Sequence, residues 1–289
     1  MIQEEGCGDI ASLSLDKIVN VEGTLDIILE QACSKNANAS SAVDVLIRLK
    51  DKAAGYTADN LALAEDPHAR HILNNILVKM GHDIIPELIK RLKDKRWYMV
   101  RNVVKIIGEM GWEMGWETGE GQGVEDALKL LLINPDTDSR VRKEAIRTVS
   151  MLKGKESANL IKNSLNDSDN SVVELAAVSL GLLQDEDSVP MLIDLVDKSE
   201  EAGIKKEALR ALGRIGSAKA AAFIIKVFKR KEWFAGKKDD EIKIVCAAAL
   251  SEIAGSEAIK ALEEGLSSSR DAVKKGTKEN TAWKAALSL

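Results

Sequence analysis

The sequence predicts an all-α protein, a right-handed α-α superhelix (α-solenoid) of about six two-helix repeats. The first observation behind this prediction is a pattern that returns about every 31 residues in the last two thirds of the chain. In each return a short apolar helix, a turn and a second helix that closes on a small residue follow one another. Composition is the second observation, because 45% hydrophobic residues, 3% aromatic residues and only 4 prolines favour helix over sheet.

The third observation is that the second helices align in three apolar columns, at offsets of i, i+4 and i+7. Such offsets place the columns on one stripe of a helix, so we expect all three to be buried. Close helix crossing requires small side chains, and the first column supplies them. Intervals in the second column are 42, 31, 32 and 38 residues, so two repeats carry insertions. The columns are Val103, Ala145, Ala176, Ala208 and Cys246; Ile107, Val149, Leu180, Leu212 and Leu250; and Met110, Leu152, Leu183, Ile215 and Ile253.

The first helices of the repeats are equally regular. Pro86 and Pro190 fall near helix starts, where a missing amide hydrogen would be unpaired anyway. Asp, Ser and Asn fill the turns at 134–140 and 166–171, which indicates helix capping. The second of these turns resembles the start of a calcium loop but lacks its Gly and its late Glu. The predicted first helices are 85–92, 124–132, 157–165, 189–196, 221–229 and 258–266.

The first 65 residues depart from the repeat. We expect residues 1–65 to form an atypical N-terminal helical cap, and residues 66–289 to form a single continuous repeat array. Within the cap, helices are predicted at about 24–34 and 41–53. The segment from 65 to 81 is the first to fit the second-helix template, and it does so through Leu73, Leu77 and Met80.

Charge follows the same division. Residues 1–80 carry 12 acidic and 7 basic side chains, whereas residues 81–289 carry 34 of each, so the net charge of -5 lies in the first 80 residues. A protein that grips a phosphate backbone usually has a basic excess. Nucleic acid is therefore not expected as a partner.

These repeats resemble a known family, the HEAT-like repeats, specifically the short class first described in phycocyanobilin lyases. The resemblance rests on the paired helices, the Ala and Leu columns, the Val-Arg steps at 100–101 and 141–142, and the endings GEMG and GRIG. It covers roughly residues 66–289. Members of this class serve as lyases, hydroxylases, DNA-repair enzymes and, most often, protein-binding scaffolds, so the resemblance implies a fold and leaves the chemistry open.

Membrane and disulfide classes are not indicated. The chain has no apolar run of about 18 residues, and its N-terminus is acidic where a signal peptide would be basic and then apolar. A cytoplasmic location is predicted. Cys7, Cys33 and Cys246 are odd in number, far apart and without a CxxC pair, so neither a disulfide framework nor a zinc site is expected.

Catalytic constellations are absent or weak. The HEAT-like hydroxylases hold a di-iron centre with His-Glu pairs, and none of His68, His71 and His82 is followed by Glu. His68 and His71 could share a metal with Asp66, but no third strong ligand lies nearby. No nucleophile elbow or dinucleotide fingerprint is present. We predict no catalytic residue, no metal and no cofactor.

Two columns of second-helix positions, predicted to be exposed, form the first candidate surface. In solenoids of this kind the second helices usually line the concave face, so these side chains would form a partly basic strip that receives an acidic partner surface. The alternative is that exposed helical positions often carry Lys or Arg without binding a partner. The columns are Arg101, Lys143, Glu174, Lys206 and Ile244, and Lys105, Arg147, Val178, Arg210 and Ala248.

Aromatic residues that the repeat does not require form the other candidates. Trp97 and Tyr98 precede the strip residue Arg101 and Asn102, and smaller residues take their places in later repeats. A packing role at the turn is the alternative. The insertion at 111–123 contains Trp112 and Trp116, and either binds a partner or folds back on the stack. In the insertion at 229–241, Trp233 and Phe234 are expected to pin a long turn.

The sequence thus predicts a non-catalytic protein-protein interaction scaffold that binds a protein with an acidic surface on its concave face. No membrane and no small-molecule substrate is indicated. The alternatives are a bilin lyase-like or other enzyme-associated subunit and, with less support, a DNA-repair protein. The predicted partner-binding residues are Trp97, Tyr98, Arg101, Asn102, Lys105, Trp112, Trp116, Lys143, Arg147, Lys206 and Arg210.

Overall fold

The computed structural model describes residues 21, 23–114, 122–152, 156–230 and 237–267. Fifteen α-helices and three short 3-10 turns contain most of these residues, and none of them lies in a strand. The predicted all-α fold of paired helices is confirmed. The chain divides into two compact units, Met1–Leu152 and Lys153–Leu289. The described part of the segment predicted to be a cap, residues 21 and 23–65, lies inside the first unit, and its capping role stays a prediction.

In the first unit, consecutive helices pair, α1 with α2, α3 with α4, α5 with α6 and α7 with α8. The second helices of successive pairs also pack on one another, α4 against α6 and α6 against α8. This is the two-layer arrangement expected of stacked repeats. The helices are α1 Thr24–Cys33, α2 Ala39–Leu49, α3 Asp51–Leu63, α4 Pro67–Met80, α5 Ile85–Arg91, α6 Trp97–Met114, α7 Gln122–Ile133 and α8 Ser139–Leu152.

The second unit repeats the same plan. First and second helices pair within each repeat, and α10, α12 and α14 pack in succession. The predicted helix at 157–165 is shorter than expected, because a 3-10 turn takes over at Asn163–Asn166. The helices are α9 Ser157–Lys162, α10 Asn170–Leu182, α11 Val189–Lys198, α12 Ala202–Ile215, α13 Ala218–Phe228, α14 Lys237–Ile253 and α15 Ser256–Ser267.

One helix predicted in the N-terminal segment is two helices. The prediction of a single helix over 41–53 is wrong, because α2 ends at Leu49 and α3 begins at Asp51. Lys50, between them, has a φ of 46° and a ψ of -123°. That conformation is outside the helical region and turns the chain between the two helices.

The capping prediction for the polar turns is confirmed. The carboxylate of Asp169 accepts the backbone N–H of Ser171 at 2.8 Å, at the start of α10. In the other turn Asp138 accepts the N–H of Arg140 at 2.9 Å, at the start of α8. Both carboxylates satisfy amides that have no partner within the helix.

Two of the three predicted apolar columns are buried throughout, and the third is not. Met110 and Ile215 of the third column are buried, but Leu152, Leu183 and Ile253 are only half-buried. The prediction that this column is buried is therefore wrong at three of five positions. Leu152 and Ile253 are the last residues of their helices and Leu183 lies just beyond the end of its own, whereas Ile215 is also a last residue and is buried.

The closest helix crossings are made by glycine rather than by the small first column. A Cβ on Gly181 would lie 2.7 Å from the Cα of Ala211, and one on Gly213 would lie 2.8 Å from the Cα of Ala249. Each glycine sits one residue after the second column. Its missing side chain lets α10 and α12, and likewise α12 and α14, approach until their backbones nearly touch.

Candidate binding site

A cavity of about 800 Å³ in the first unit, which we call the α4–α6 cavity, is lined by the end of α3, by α4 and by residues 97–109 of α6. The volume lies within the range of about 300 to 1,000 Å³ typical of ligand clefts. Five of the predicted site residues line it: Trp97, Tyr98, Arg101, Asn102 and Lys105. Their spacing of i, i+1, i+4, i+5 and i+8 places them on one face of α6, which explains why the structure brings them together.

The other helical wall of the cavity consists of residues that the sequence analysis missed. Arg70, His71, Asn74 and Asn75 line it from α4. When the second helices are aligned so that Leu73 matches Val103, His71 matches Arg101 and Asn75 matches Lys105. The predicted strip therefore extends one repeat further toward the N-terminus, and that alignment could have found it. The signal was overlooked because these positions hold His and Asn rather than Lys or Arg.

Glu109 is the only acid among the residues that line the cavity, and its charge is already compensated. Its carboxylate accepts a hydrogen bond of 2.5 Å from the Asn74 amide and lies 3.4 Å from the Lys105 ammonium. On α4, Asn75 and His71 contact each other at 3.2 Å. The charge of Lys105 is thus shared with a neighbour on its own helix.

Arg101 has no such compensation. Its guanidinium forms no hydrogen bond and no ion pair among the described residues, and its Nε is buried without a hydrogen-bond partner. Leaving a partly buried guanidinium group unsatisfied is unfavourable, so the site favours a ligand that can accept its hydrogen bonds. Neighbouring Asn102 is half-buried and also makes no hydrogen bond within the described part of the chain.

Trp97 has a partner inside the protein. The guanidinium carbon of Arg140 lies 3.4 Å from the centre of the indole ring, in a cation–π contact. Tyr98 meets the same indole edge to face, with 5.9 Å between ring centres. These contacts link the start of α6 to the start of α8 and support the packing alternative for Trp97. They leave Tyr98 on the cavity wall.

Arg140 is itself held in place by Asp138. Its Nε and Nη2 donate to the two carboxylate oxygens at 2.9 and 2.7 Å. These bonds lower the pKa of Asp138 to about 2. Asp94 and Arg96 repeat the arrangement one repeat earlier, with bonds of 3.0 and 2.7 Å, and the pKa of Asp94 is likewise lowered to about 2.

The two Val-Arg steps are not equivalent in the structure. Arg142 is 6% exposed and donates to the carbonyl oxygen of Thr137, in the turn that precedes its helix. Lys205 takes the corresponding place two repeats on, is 3% exposed and donates to the carbonyl of Val196 at 2.8 Å. Burial lowers the pKa of Lys205. The column alignment places Val100, not Arg101, at the position of Arg142. Of the arginines in the two Val-Arg steps, only Arg101 therefore faces the cavity.

The remaining cations of the predicted strip have other surroundings. Arg147 lies 3.4 Å from Glu144. In the second unit, Lys206 lies 3.2 Å from Glu241, and Arg210 forms an ion pair with Glu207. These cations therefore already have carboxylate neighbours.

Exposure of the strip also differs from the prediction. All five members of the first column, Lys143 included, are half-buried rather than exposed. Packing between successive second helices covers one side of each of these positions.

Some predicted features lie outside the described residues. They include Trp116, Trp233 and Phe234, and the side chain of Trp112. Within the described ranges, no group of three or more His, Cys, Asp or Glu side chains could hold a metal ion. No helix among these residues combines the length and apolarity needed to cross a membrane.

Comparison with known proteins identifies the repeats. A family model described as HEAT repeats matches residues 85–181 and 174–235. No curated protein matches the chain.

Two solved structures with TM-scores above 0.5 support the fold. The chain is similar to YibA of Escherichia coli, at 13% identity, with 95% of this chain and 94% of that chain covered and a TM-score of 0.55. A Kap121p mutant is similar at 13% identity and a TM-score of 0.53, with 93% of this chain and 35% of Kap121p covered. An engineered protein matches at 22% identity, with 71% and 96% covered and a TM-score of 0.43. At such identities the likenesses concern the fold alone.

Proposed function

The chain belongs to the HEAT repeat family, and from that premise we propose that it is a non-catalytic scaffold that binds a protein partner on its second-helix face. Membership of the short, phycocyanobilin-lyase-type class is part of the same proposal. The cytoplasmic location stays a prediction. A stacked array of this kind offers a long, rigid surface on which side chains of successive repeats stand at fixed spacing.

One observation carries the proposal: the α4–α6 cavity presents polar groups that the fold leaves unsatisfied. Arg101 and Asn102 have no hydrogen-bond partner among the described residues, and Tyr98 lies beside them. Tyr and Arg are enriched among the residues that dominate binding energy at protein interfaces. Since Trp97 is engaged by Arg140, the recognition role falls on Tyr98, Arg101 and Asn102.

Site-specific photo-crosslinking tests the proposal in a lysate of the native host. Lys105 is exposed and lines the cavity, so a benzoylphenylalanine in its place samples whatever occupies the site. Lys129 is an exposed lysine on α7, in the same unit but away from the cavity, and the same replacement there is the matched control. Mass spectrometry identifies the adducts.

We expect one or a few reproducible protein adducts at position 105 that position 129 does not give. Excess unlabelled wild-type chain should reduce their yield by competition. The same adducts at both positions, or none at position 105, would contradict a protein-binding role for this surface. Circular dichroism of both variants checks that the replacements leave the helices intact.

A further inference from the structure

The α4–α6 cavity carries an excess of positive charge. Arg70 and Arg101 line it from two different helices, and neither guanidinium has an ion-pair partner among the described residues. Lys105 and Glu109 form an ion pair and nearly cancel each other. What remains is a pair of uncompensated guanidinium groups in one concave site, which attracts a negatively charged group.

We propose that this cavity recognises an acidic, extended peptide segment, with the guanidinium of Arg101 binding a Glu or Asp carboxylate. This inference rests on the proposed function, and it names the chemistry by which the partner is recognised. Arg101 is the anchor and Arg70 strengthens the attraction from the exposed side of the site. Asn102 and Tyr98 contact the peptide on either side of the carboxylate.

The geometry of arginine suits this role. A guanidinium presents Nε and Nη donors as a planar fork that matches the two oxygens of a carboxylate. In Arg101 the Nε is buried without a partner, whereas the same atom of Arg96 and of Arg140 donates to an aspartate. The Nε of Arg101 makes no such bond and is buried, so the donors that an incoming carboxylate can reach are its two Nη groups, which make no hydrogen bond among the described residues.

Neighbouring groups favour a peptide over a lone anion. The Asn102 amide can donate and accept at the same time, and a peptide group has one acceptor and one donor to offer. Tyr98 adds an aromatic face and a hydroxyl group for the flanking residues of the bound segment. Both belong to the first turns of α6, next to Arg101, so one short segment can meet all three.

Charge also distinguishes a carboxylate ligand from a polyanion. Residues 1–80, which supply the α4 wall, carry 12 acidic and only 7 basic side chains. Such a balance repels a chain of phosphates, whose binding depends on many basic contacts. A single carboxylate requires only the local pair of guanidinium groups. The observations therefore favour an acidic peptide over nucleic acid.

Fluorescence anisotropy with the full chain tests this inference directly. The probe is a short labelled peptide with a single glutamate, compared with the same peptide carrying glutamine at that position. We expect the glutamate peptide to bind and the glutamine peptide to bind at least about tenfold more weakly, because charge-assisted hydrogen bonds are lost. Arg101→Ala should weaken the glutamate peptide by about tenfold as well.

Two further variants separate recognition from net charge. Arg101→Lys keeps the charge but loses the fork, so an intermediate affinity is expected. Lys129→Ala removes one exposed positive charge outside the cavity and should change affinity less than about twofold, because distant exposed charges are screened. Equal weakening by Arg101→Ala and Lys129→Ala would overturn the inference.

Competing ligands give the remaining outcomes. A phosphoserine peptide or a single-stranded oligonucleotide that binds more tightly than the glutamate peptide, and depends on Arg101, would also overturn it. If no peptide binds while protein adducts persist at position 105, the chemistry named here is wrong and the scaffold proposal stands. If position 105 gives no protein adducts but the glutamate peptide still binds and Arg101→Ala weakens it, the scaffold proposal is wrong and the peptide inference stands.

Discussion

At the scale of single residues, three arginines of the first unit lie in three different environments. Arg142 is buried and serves the fold by donating to a backbone carbonyl. Arg140 pairs with Asp138 and covers the ring of Trp97. Arg101 has neither kind of partner among the described residues. Residue type therefore does not reveal function here, and the partners of each guanidinium do.

The ion pair between Asp138 and Arg140 gives a pH-dependent prediction. The pKa of Asp138 lies near 2 in the folded chain, below its ordinary value of 3.8, so the pair stabilises the fold above pH 3.8 and this contribution is lost as the pH falls through about 2. Asp138→Asn keeps a capping side chain but removes the charge. It should lower the free energy of unfolding at neutral pH by less than about 1 kcal/mol, since the pair is partly exposed.

Urea unfolding at a series of pH values measures this difference. The gap between wild type and Asp138→Asn should hold from neutral pH down to about pH 4, narrow as the pH falls further and vanish below pH 2, where Asp138 is protonated. A gap that stays constant over this range would show that Asp138 acts through its hydrogen bonds alone. Arg140→Gln should show the same narrowing but keep a residual gap at low pH, because it also removes the cation–π contact with Trp97.

Helix crossings are the feature that matters at the scale of elements. Within each unit, successive second helices are in contact, and in the second unit glycines allow the closest approach. The first apolar column, with its Ala and Cys side chains, fills the interior next to these crossings and is fully buried. Small residues therefore have two roles in neighbouring positions. The first column fills the interior, and the glycines set the distance between the helices.

Two glycines of α12 provide a matched test of the crossing. A Cβ on Gly213 would lie 2.6 Å from the Cβ and 2.8 Å from the Cα of Ala249, and that backbone cannot move aside easily. Gly213→Ala should therefore destabilise the chain by about 1 to 3 kcal/mol, although alanine is the better helix former. A Cβ on Gly203 would meet only the end of the Glu174 side chain, which can rotate away.

Gly203→Ala should consequently be neutral, or stabilising by less than about 1 kcal/mol. Thermal and urea unfolding of the two variants, compared with wild type, measure the difference. Equal effects of the two substitutions would contradict the close approach of α12 and α14 at Gly213. Preserved helical circular dichroism in both variants shows that a loss of stability is not a loss of fold.

At the scale of the whole molecule, the chain consists of two compact units, Met1–Leu152 and Lys153–Leu289. Each has its own set of paired helices and its own buried side chains. The α4–α6 cavity belongs entirely to the first unit. Because each repeat packs mainly on its neighbours, a group of repeats can be stable without the rest of the chain.

We therefore expect a fragment ending at Leu152 to fold. It should show helical circular dichroism, a cooperative thermal transition and binding of the glutamate peptide. A shorter fragment ending at residue 114 loses α8, against which α6 packs, and should unfold without a sharp transition. Non-cooperative melting of the longer fragment would mean that the first unit depends on the second.

The class of the fold, the order of the paired helices and two of the three apolar columns could be predicted from the residue types alone. This was possible because burial repeats with the helical period and is therefore written in the residue types. The turn at Lys50 could not be predicted, since no glycine or proline stands at that position or next to it. The sequence pattern also placed the two Val-Arg steps together, although their arginines face different surroundings.

Which polar residues are free to bind depends instead on how the helices pack. Arg70, Asn74 and Asn75 line the cavity with Tyr98, Arg101 and Asn102 because α4 packs on α6, a contact between residues far apart in the chain. Lys105 and Glu109 compensate each other within α6, and the packing of α6 against α8 places Arg140 over Trp97, yet Arg101 has no partner among the described residues. A side chain's unused hydrogen-bonding capacity depends on its neighbours in space, and sequence spacing within one helix cannot supply them.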